Sequence, residues 1–212
     1  MINCPPRVKI CGTRTLAGAQ AAVDAGADLL GFILYPPARR YVPPDQVALI
    51  LRQLRGRSTV RAVGVFVDQD VAHIAAVADR CGLDLIQLSG DEAAELTRAL
   101  SRPVVKTFRP ASAADLPDFP AYRLHAALLE APGRGWGGNG RLTDWSIARA
   151  VQRSAARPLV FLAGGLHAGN VGDAIAAVQP DGVDVSSGVE TGGVQDPERI
   201  AAFVAAAKGQ RP

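Results

Sequence analysis

Two hydrophobic rhythms alternate along this chain. Short, nearly continuous apolar runs recur, and between them lie stretches whose apolar residues fall three and four positions apart. The first pattern belongs to strands buried on both faces, the second to helices with one apolar stripe. Arg7-Val8-Lys9-Ile10-Cys11 predicts a first strand, broken by Gly12 before a helix with Leu16, Ala19 and Val23 on one side. Residues 28–34 predict a second strand, and a proline-rich loop over 35–44 leads to a helix carrying Val47, Ile50, Leu51 and Leu54. Strands follow at 60–67, 83–88, 103–108, 122–129, 159–163 and 183–185. The helical stripes among them are Val71, Ile74, Ala75 and Ala78, then Leu96 and Leu100, then Ile147, Ala150 and Val151, then Val171, Ala174, Ile175 and Val178. Asn170 stands where an N-cap belongs, and Ser89-Gly90-Asp91-Glu92 has the spacing of a capping box. Asp196-Pro197, an N-cap with proline at the first helical position, opens a last helix carrying Ile200, Phe203, Val204 and Ala207. Only residues 110–120, interrupted by prolines, predict no more than a short turn.

Eight strands alternating with helices require parallel pairing with the helices outside, and eight such units close most naturally into an α/β (β/α)8, or TIM, barrel. An open doubly wound sheet is the structural rival. No linker, repeat or low-complexity stretch divides the chain, so residues 1–212 are expected to form a single barrel domain.

Composition narrows the function. Of 212 residues 48% are hydrophobic but only 5% aromatic, so the core must be built from Ala, Val, Leu and Ile. The net charge of +3 comes without any block of Lys and Arg, which argues against a nucleic-acid partner. The start of the chain lacks a signal-peptide pattern and no apolar run is long enough to span a bilayer. A cytoplasmic location without a membrane partner is expected, as a monomer with a homodimer left open. Cys4, Cys11 and Cys81 are an odd, scattered set that suits neither a disulfide framework nor a zinc site, and His73, His125 and His167 are too far apart to suggest a metal.

In a (β/α)8 barrel the chemistry sits where strands end and βα loops begin. Gly164-Gly165 follows the seventh strand and Ser186-Ser187-Gly188 the eighth. Glycines admit a ligand to the bare backbone, and unpaired N–H groups favour an anion, so these two loops predict a phosphate cup. Cys11 ends the first strand with Lys9 two positions earlier on the same face; it reads either as a base whose thiolate an ammonium stabilises or as a small buried hydrophobe. Glu130 ends the sixth strand, where partial desolvation suits a proton donor, or it is a solvated loop charge. Arg39 and Arg40 lie among prolines, placed to pair a carboxylate or simply to be solvated. The loop from Gly135 to Gly140 satisfies a dinucleotide glycine pattern literally, yet it is late in the chain, does not follow its strand at once and has no acidic residue at the required distance. A flexible lid is the better reading of it.

Taken together, Lys9-Ile10-Cys11-Gly12-Thr13, Gly64-Val65-Phe66-Val67, Gln87-Leu88-Ser89-Gly90-Asp91-Glu92, Leu162-Ala163-Gly164-Gly165-Leu166 and Asp184-Val185-Ser186-Ser187-Gly188-Val189-Glu190 resemble the phosphoribosylanthranilate isomerases of tryptophan biosynthesis. The resemblance implies a single-domain (β/α)8 barrel without a cofactor, acting on a small phosphorylated substrate. Its reaction is the Amadori rearrangement of N-(5-phosphoribosyl)anthranilate to 1-(2-carboxyphenylamino)-1-deoxyribulose 5-phosphate. It implies that Cys11 is the general base, that Arg40 holds the anthranilate carboxylate, and that Gly164, Gly165, Ser186, Ser187 and Gly188 bind phosphate. The family's general acid is an aspartate, and Glu130 stands there instead. Three further departures are Ser89 for the usual His, Ala38-Arg39 for Ser-Pro, and Asn139 for Thr in Gly-Gly-Thr-Gly. Two other readings stay open: the related isomerase of histidine biosynthesis, whose barrel has aspartates ending strands one and five where this chain has Cys11 and Thr107, and a non-catalytic barrel that kept only its phosphate cup.

Overall fold

The computed structural model describes residues 5–56, 58–133 and 142–209. Its centre is a closed barrel of eight parallel strands in sequence order: β1 (Arg7–Cys11), β2 (Leu29–Ile33), β3 (Arg61–Phe66), β4 (Leu85–Leu88), β5 (Val104–Phe108), β6 (Ala126–Leu129), β7 (Leu159–Leu162) and β8 (Gly182–Val185). Pairing of β1 with β8, Lys9 opposite Asp184, closes the ring. Around it run α1 (Leu16–Asp24), α2 (Pro44–Leu54), α3 (Val71–Cys81), α4 (Ala94–Ala99), α5 (Trp145–Gln152), α6 (Val171–Val178) and α7 (Pro197–Ala207).

Alternation along each strand sorts the side chains into two cores. Leu29, Val63, Leu85, Val105, Ala126, Leu128 and Phe161 fill the barrel, while Val8, Ile10, Leu30, Phe32, Phe66, Ile86, Leu88, Leu129 and Leu162 pack outward against the helices. Gly182 is bare because a Cβ there would meet the Phe161 ring at 2.4 Å. Among the described residues no helix is long and apolar enough to cross a membrane.

The expected short turn after β5 is two single 3-10 turns, Ala113–Asp115 and Phe119–Ala121. Aromatic packing covers β5 where a helix would otherwise lie: Phe108 takes Phe119 and Tyr122 edge-on at 5.6 and 5.4 Å. Several local readings need correction. In α5 the buried face is Ile147, Ala148 and Val151, with Ala150 exposed. In α1 the buried face is Gly18, Ala19 and Ala22, with Leu16 exposed and Val23 half-buried. A small face is required because the hairpin of β9 (Glu190–Thr191) and β10 (Val194–Gln195) comes so close that a Cβ on Gly18 would stand 2.5 Å from Gln195 Oε1. Ser89 and Glu92 form no capping box, for α4 begins later, after Ala93. Glu92 instead turns inward, pairs with Lys106 at 3.0 Å and accepts from the Asp68 and Gly90 N–H groups, tying the loops after β3 and β4 to β5. Asn170 does stand at the N-cap of α6, its carbonyl accepting from Ala174 N–H at 3.0 Å, but its side chain makes no cap bond; the carboxamide accepts from His167 N–H and donates to the Gly165 carbonyl, shaping the loop after β7.

Candidate active site

At the C-terminal ends of the strands the barrel opens into a cavity of about 430 Å³. Of the residues singled out above, Cys11, Arg40, Glu130, Gly164, Gly165, Ser186 and Ser187 all line it. Gly188 does not. It lies behind the wall, so tight against the neighbouring loop that a Cβ would sit 2.0 Å from the Leu166 carbonyl oxygen. That contact locks the two small-residue loops together.

The loop after β7 is built for backbone exposure. Gly164 and Gly165 have φ of 86° and 62°, a region that side chains disfavour. Among the described residues their N–H groups have no protein acceptor, and the Ser186 hydroxyl is buried without a partner. Unmet donors at the rim of a cavity are what an anion would satisfy.

Next to β8 in the ring, Cys11 ends β1 beside a buried ion pair. Lys9, 1% exposed, donates to Asp184 Oδ1 at 2.6 Å, and the Cys11 thiol lies beside the same ammonium. The thiol and the ammonium converge at Gly31, where a Cβ would lie 2.9 Å from both Cys11 Sγ and Lys9 Nζ. Burial raises the Cys11 thiol above its ordinary pKa, and Lys9 draws it back only in part while Asp184 opposes. Burial also penalises the Lys9 ammonium, but Asp184 and Cys11 outweigh this and hold Lys9 above its usual value.

Glu130 enters from the end of β6. Arg109, which follows β5, holds its Oε2 through Nε at 3.2 Å and donates from Nη1 to the Ser89 carbonyl at 3.1 Å. The carboxyl is thus neither a bare group in an apolar pocket nor a solvated loop charge. Ser89, Thr107 and Gln87 form a small polar triangle on the floor: Ser89 Oγ lies 3.0 Å from both Thr107 Oγ1 and Gln87 Nε2.

Arg40 is placed by a loop folded back on β2, with Val42 N–H donating to the Ile33 carbonyl at 3.0 Å. Gly12, at φ 78°, leaves room for the Arg40 stem, since a Cβ there would stand 2.6 Å from Cδ. The guanidinium forms a two-pronged pair with Glu190, Nε to Oε1 at 2.6 Å and Nη2 to Oε2 at 2.9 Å. Burial would raise the Glu190 pKa, but Arg40 and Arg39 more than offset it and hold the carboxyl below its ordinary value.

The sequence of the N-(5'phosphoribosyl)anthranilate (PRA) isomerase family matches residues 8–206. The chain belongs to that family. An N-(5'-phosphoribosyl)anthranilate isomerase of Desulforudis audaxviator (strain MP104C) is 46% identical over 205 residues, which are 95% of this chain and 97% of the relative. The crystal structure of phosphoribosyl anthranilate isomerase from Thermotoga maritima matches with a TM-score of 0.88 at 37% identity, covering 96% of this chain and 99% of that one. A phosphoribosyl anthranilate isomerase in complex with reduced 1-(o-carboxyphenylamino)-1-deoxyribulose 5-phosphate matches with a TM-score of 0.84 at 35% identity, covering 96% and 99%.

Asp184 and Glu190 are the site positions that sequence reasoning did not single out. Asp184 carried a usable signal, since it alternates with Gly182 along β8 and therefore faces the barrel interior. Glu190 carried none, because its partner Arg40 is 150 positions away. The expected lid over residues 135–140, Asn139 included, lies outside the described residues, as does Cys4.

Proposed function

We propose that the chain catalyses the isomerase step of tryptophan biosynthesis, the Amadori rearrangement of N-(5-phosphoribosyl)anthranilate to 1-(2-carboxyphenylamino)-1-deoxyribulose 5-phosphate. The observation that carries this reading is the shared cavity: a thiol from β1 and a carboxyl after β6 line the same space as the loops after β7 and β8. A sugar phosphate anchored at Gly164, Gly165, Ser186 and Ser187 would lie between them, with Gly188 holding the two loops in register.

In this mechanism Glu130 protonates the furanose ring oxygen, and the C1–O bond breaks to give the open-chain Schiff base. The Cys11 thiolate then removes the C2 proton. Its electron pair forms the C1–C2 double bond of an enolamine as the C1=N pair returns to the protonated nitrogen; the enolamine then takes up a proton at C1 and releases the proton of its C2 hydroxyl to become the ketone. Substrate and product are isomers, so no oxidant or cofactor enters. Lys9 makes the thiolate accessible, Arg109 sets the direction of the Glu130 carboxyl, and Arg40 holds the anthranilate carboxylate. Opposed acid and base held in reach of one substrate are the requirement of such proton transfers. The protein is read as one cytoplasmic barrel domain, monomeric in solution.

The test is an assay with phosphoribosylanthranilate, following loss of its anthranilate-type fluorescence at catalytic protein concentration. Turnover supports the reading. Binding of a product analogue without turnover points to a phosphate-binding barrel, and turnover only of the histidine-pathway phosphoribosyl amine points to the related isomerase.

A further inference from the structure

We propose that Glu190 is a positioning residue for substrate recognition, fixing one edge of the Arg40 guanidinium so that the other is presented to the substrate's aryl carboxylate. The proposal rests on the role given to Arg40 above and adds what makes that role possible.

The pairing is directional. Glu190 takes Nε and Nη2 of Arg40, and its side chain is 6% exposed against 9% for Arg40. Arg40 lines the cavity and Glu190 does not, so the occupied edge faces away from the ligand space. Among the described residues Nη1 has no protein acceptor, and it is not sealed from solvent. A two-pronged pair fixes the guanidinium plane as well as its position. The carboxylate itself sits on a fixed element, the first residue of the β9–β10 hairpin, which Asp196 N–H ties back to the Val189 carbonyl at 2.9 Å.

Charge completes the argument. Arg40 with Glu190 alone is neutral and would offer a carboxylate little net attraction. Arg39, at the position where the resemblance puts proline, reaches the same Glu190 Oε2 at 2.9 Å and leaves the cluster with one net positive charge. Its side chain lines the cavity at a solvent-open position, 58% exposed, and so adds its charge at the rim.

Binding of two probes, read calorimetrically, tests this without relying on turnover. One is the reduced carboxyphenylamino product analogue and the other ribose 5-phosphate, which has no aryl carboxylate. Glu190→Ala and Arg40→Ala should each weaken the carboxylated probe by about tenfold or more, the loss of one oriented ionic contact, with ribose 5-phosphate unchanged. Glu190→Gln, which keeps the shape and one acceptor, should fall between, and Arg39→Gln should cost a few-fold. In turnover the loss should appear in KM rather than kcat. If Arg40→Ala weakens the carboxylated probe and neither Glu190 variant does, the positioning role is overturned while the Arg40 assignment stands. If Arg40→Ala binds that probe like wild type, the underlying reading of Arg40 fails. Equal loss on both probes would reduce Glu190 to a structural role, and tighter binding by Glu190→Ala would make it a competitor of the substrate; either result overturns the proposal.

Discussion

Replacing Lys9 by Met removes the charge beside Cys11 while nearly keeping the side-chain volume, and so isolates what the ammonium does for the thiol. An ammonium about 4 Å from a thiolate, at an effective dielectric constant near 20, is worth about 4 kcal/mol, or about three pKa units. Asp184 pushes the thiol the other way less strongly than Lys9 pulls it. In Lys9→Met that repulsion is opposed only by the weaker pull of Arg40. The thiol pKa, read from the pH dependence of iodoacetamide alkylation, should therefore rise by about one to three units, and kcat/KM at pH 8 should fall by about 10- to 10³-fold as the thiolate fraction shrinks. A buried carboxylate stripped of its partner also costs about 3–5 kcal/mol of stability. The double variant Lys9→Met/Asp184→Asn, which leaves no isolated charge, controls for this. The thiol pKa should ascend from wild type through the double to the single variant. Identical alkylation profiles in all three would refute the reasoning, because Lys9 would then exert no field at Cys11.

In wild type, burial holds the Cys11 thiol above its ordinary pKa, so the base is mostly protonated at neutral pH and kcat/KM should climb with pH through the neutral range and beyond; a plateau already reached by pH 6 would contradict this. Glu130→Gln keeps the shape but carries no transferable proton, and kcat should drop by about 10²- to 10⁴-fold with product-analogue binding retained. Gly188→Ala must push the loops after β7 and β8 apart because of the Leu166 carbonyl, and a shift near 1 Å in the proposed phosphate cup should cost about 10²-fold in kcat/KM, with weaker ribose 5-phosphate binding by calorimetry. Asp196 caps α7 by accepting from the Glu198 and Arg199 N–H groups, so Asp196→Ala should lose about 1 kcal/mol in urea unfolding. The Glu190 pKa is lowered, so the stability its ion pairs contribute is complete above the unfolded value of about 4.3 and is lost as pH falls through the folded one. Glu190→Gln should flatten that acid limb of the stability curve.

How much could be read beforehand followed from how local each signal was. The barrel was legible because its inward and outward faces impose period two on the strands and its helices period 3.6, and stripes such as Val47, Ile50, Leu51 and Leu54 are buried as expected. The stripe failed at α1, where a small residue rather than a large one was needed under Gln195. Capping signals misled where another partner claimed the side chain first: Lys106 took Glu92, and Asn170, though it stands at the N-cap of α6, turned its carboxamide to its own loop. In the site, positions at strand ends were legible from the architecture, whereas their partners were not. Nothing near Arg40 in sequence announces Glu190; Arg109 stands at the end of β5, a position the architecture marks, but nothing announces that it pairs with Glu130. Long-range ion pairs leave no periodic trace.

A crystal structure with the reduced product analogue bound puts the opposed thiol and carboxyl to the sharpest test. The phosphate should rest on the Gly164, Gly165, Ser186 and Ser187 backbone, with Cys11 Sγ within about 3.5 Å of C2 and the Glu130 carboxyl on the other side of the sugar chain. An analogue lying with C2 out of reach of Cys11, or with both groups on one side of it, would contradict the proposed mechanism.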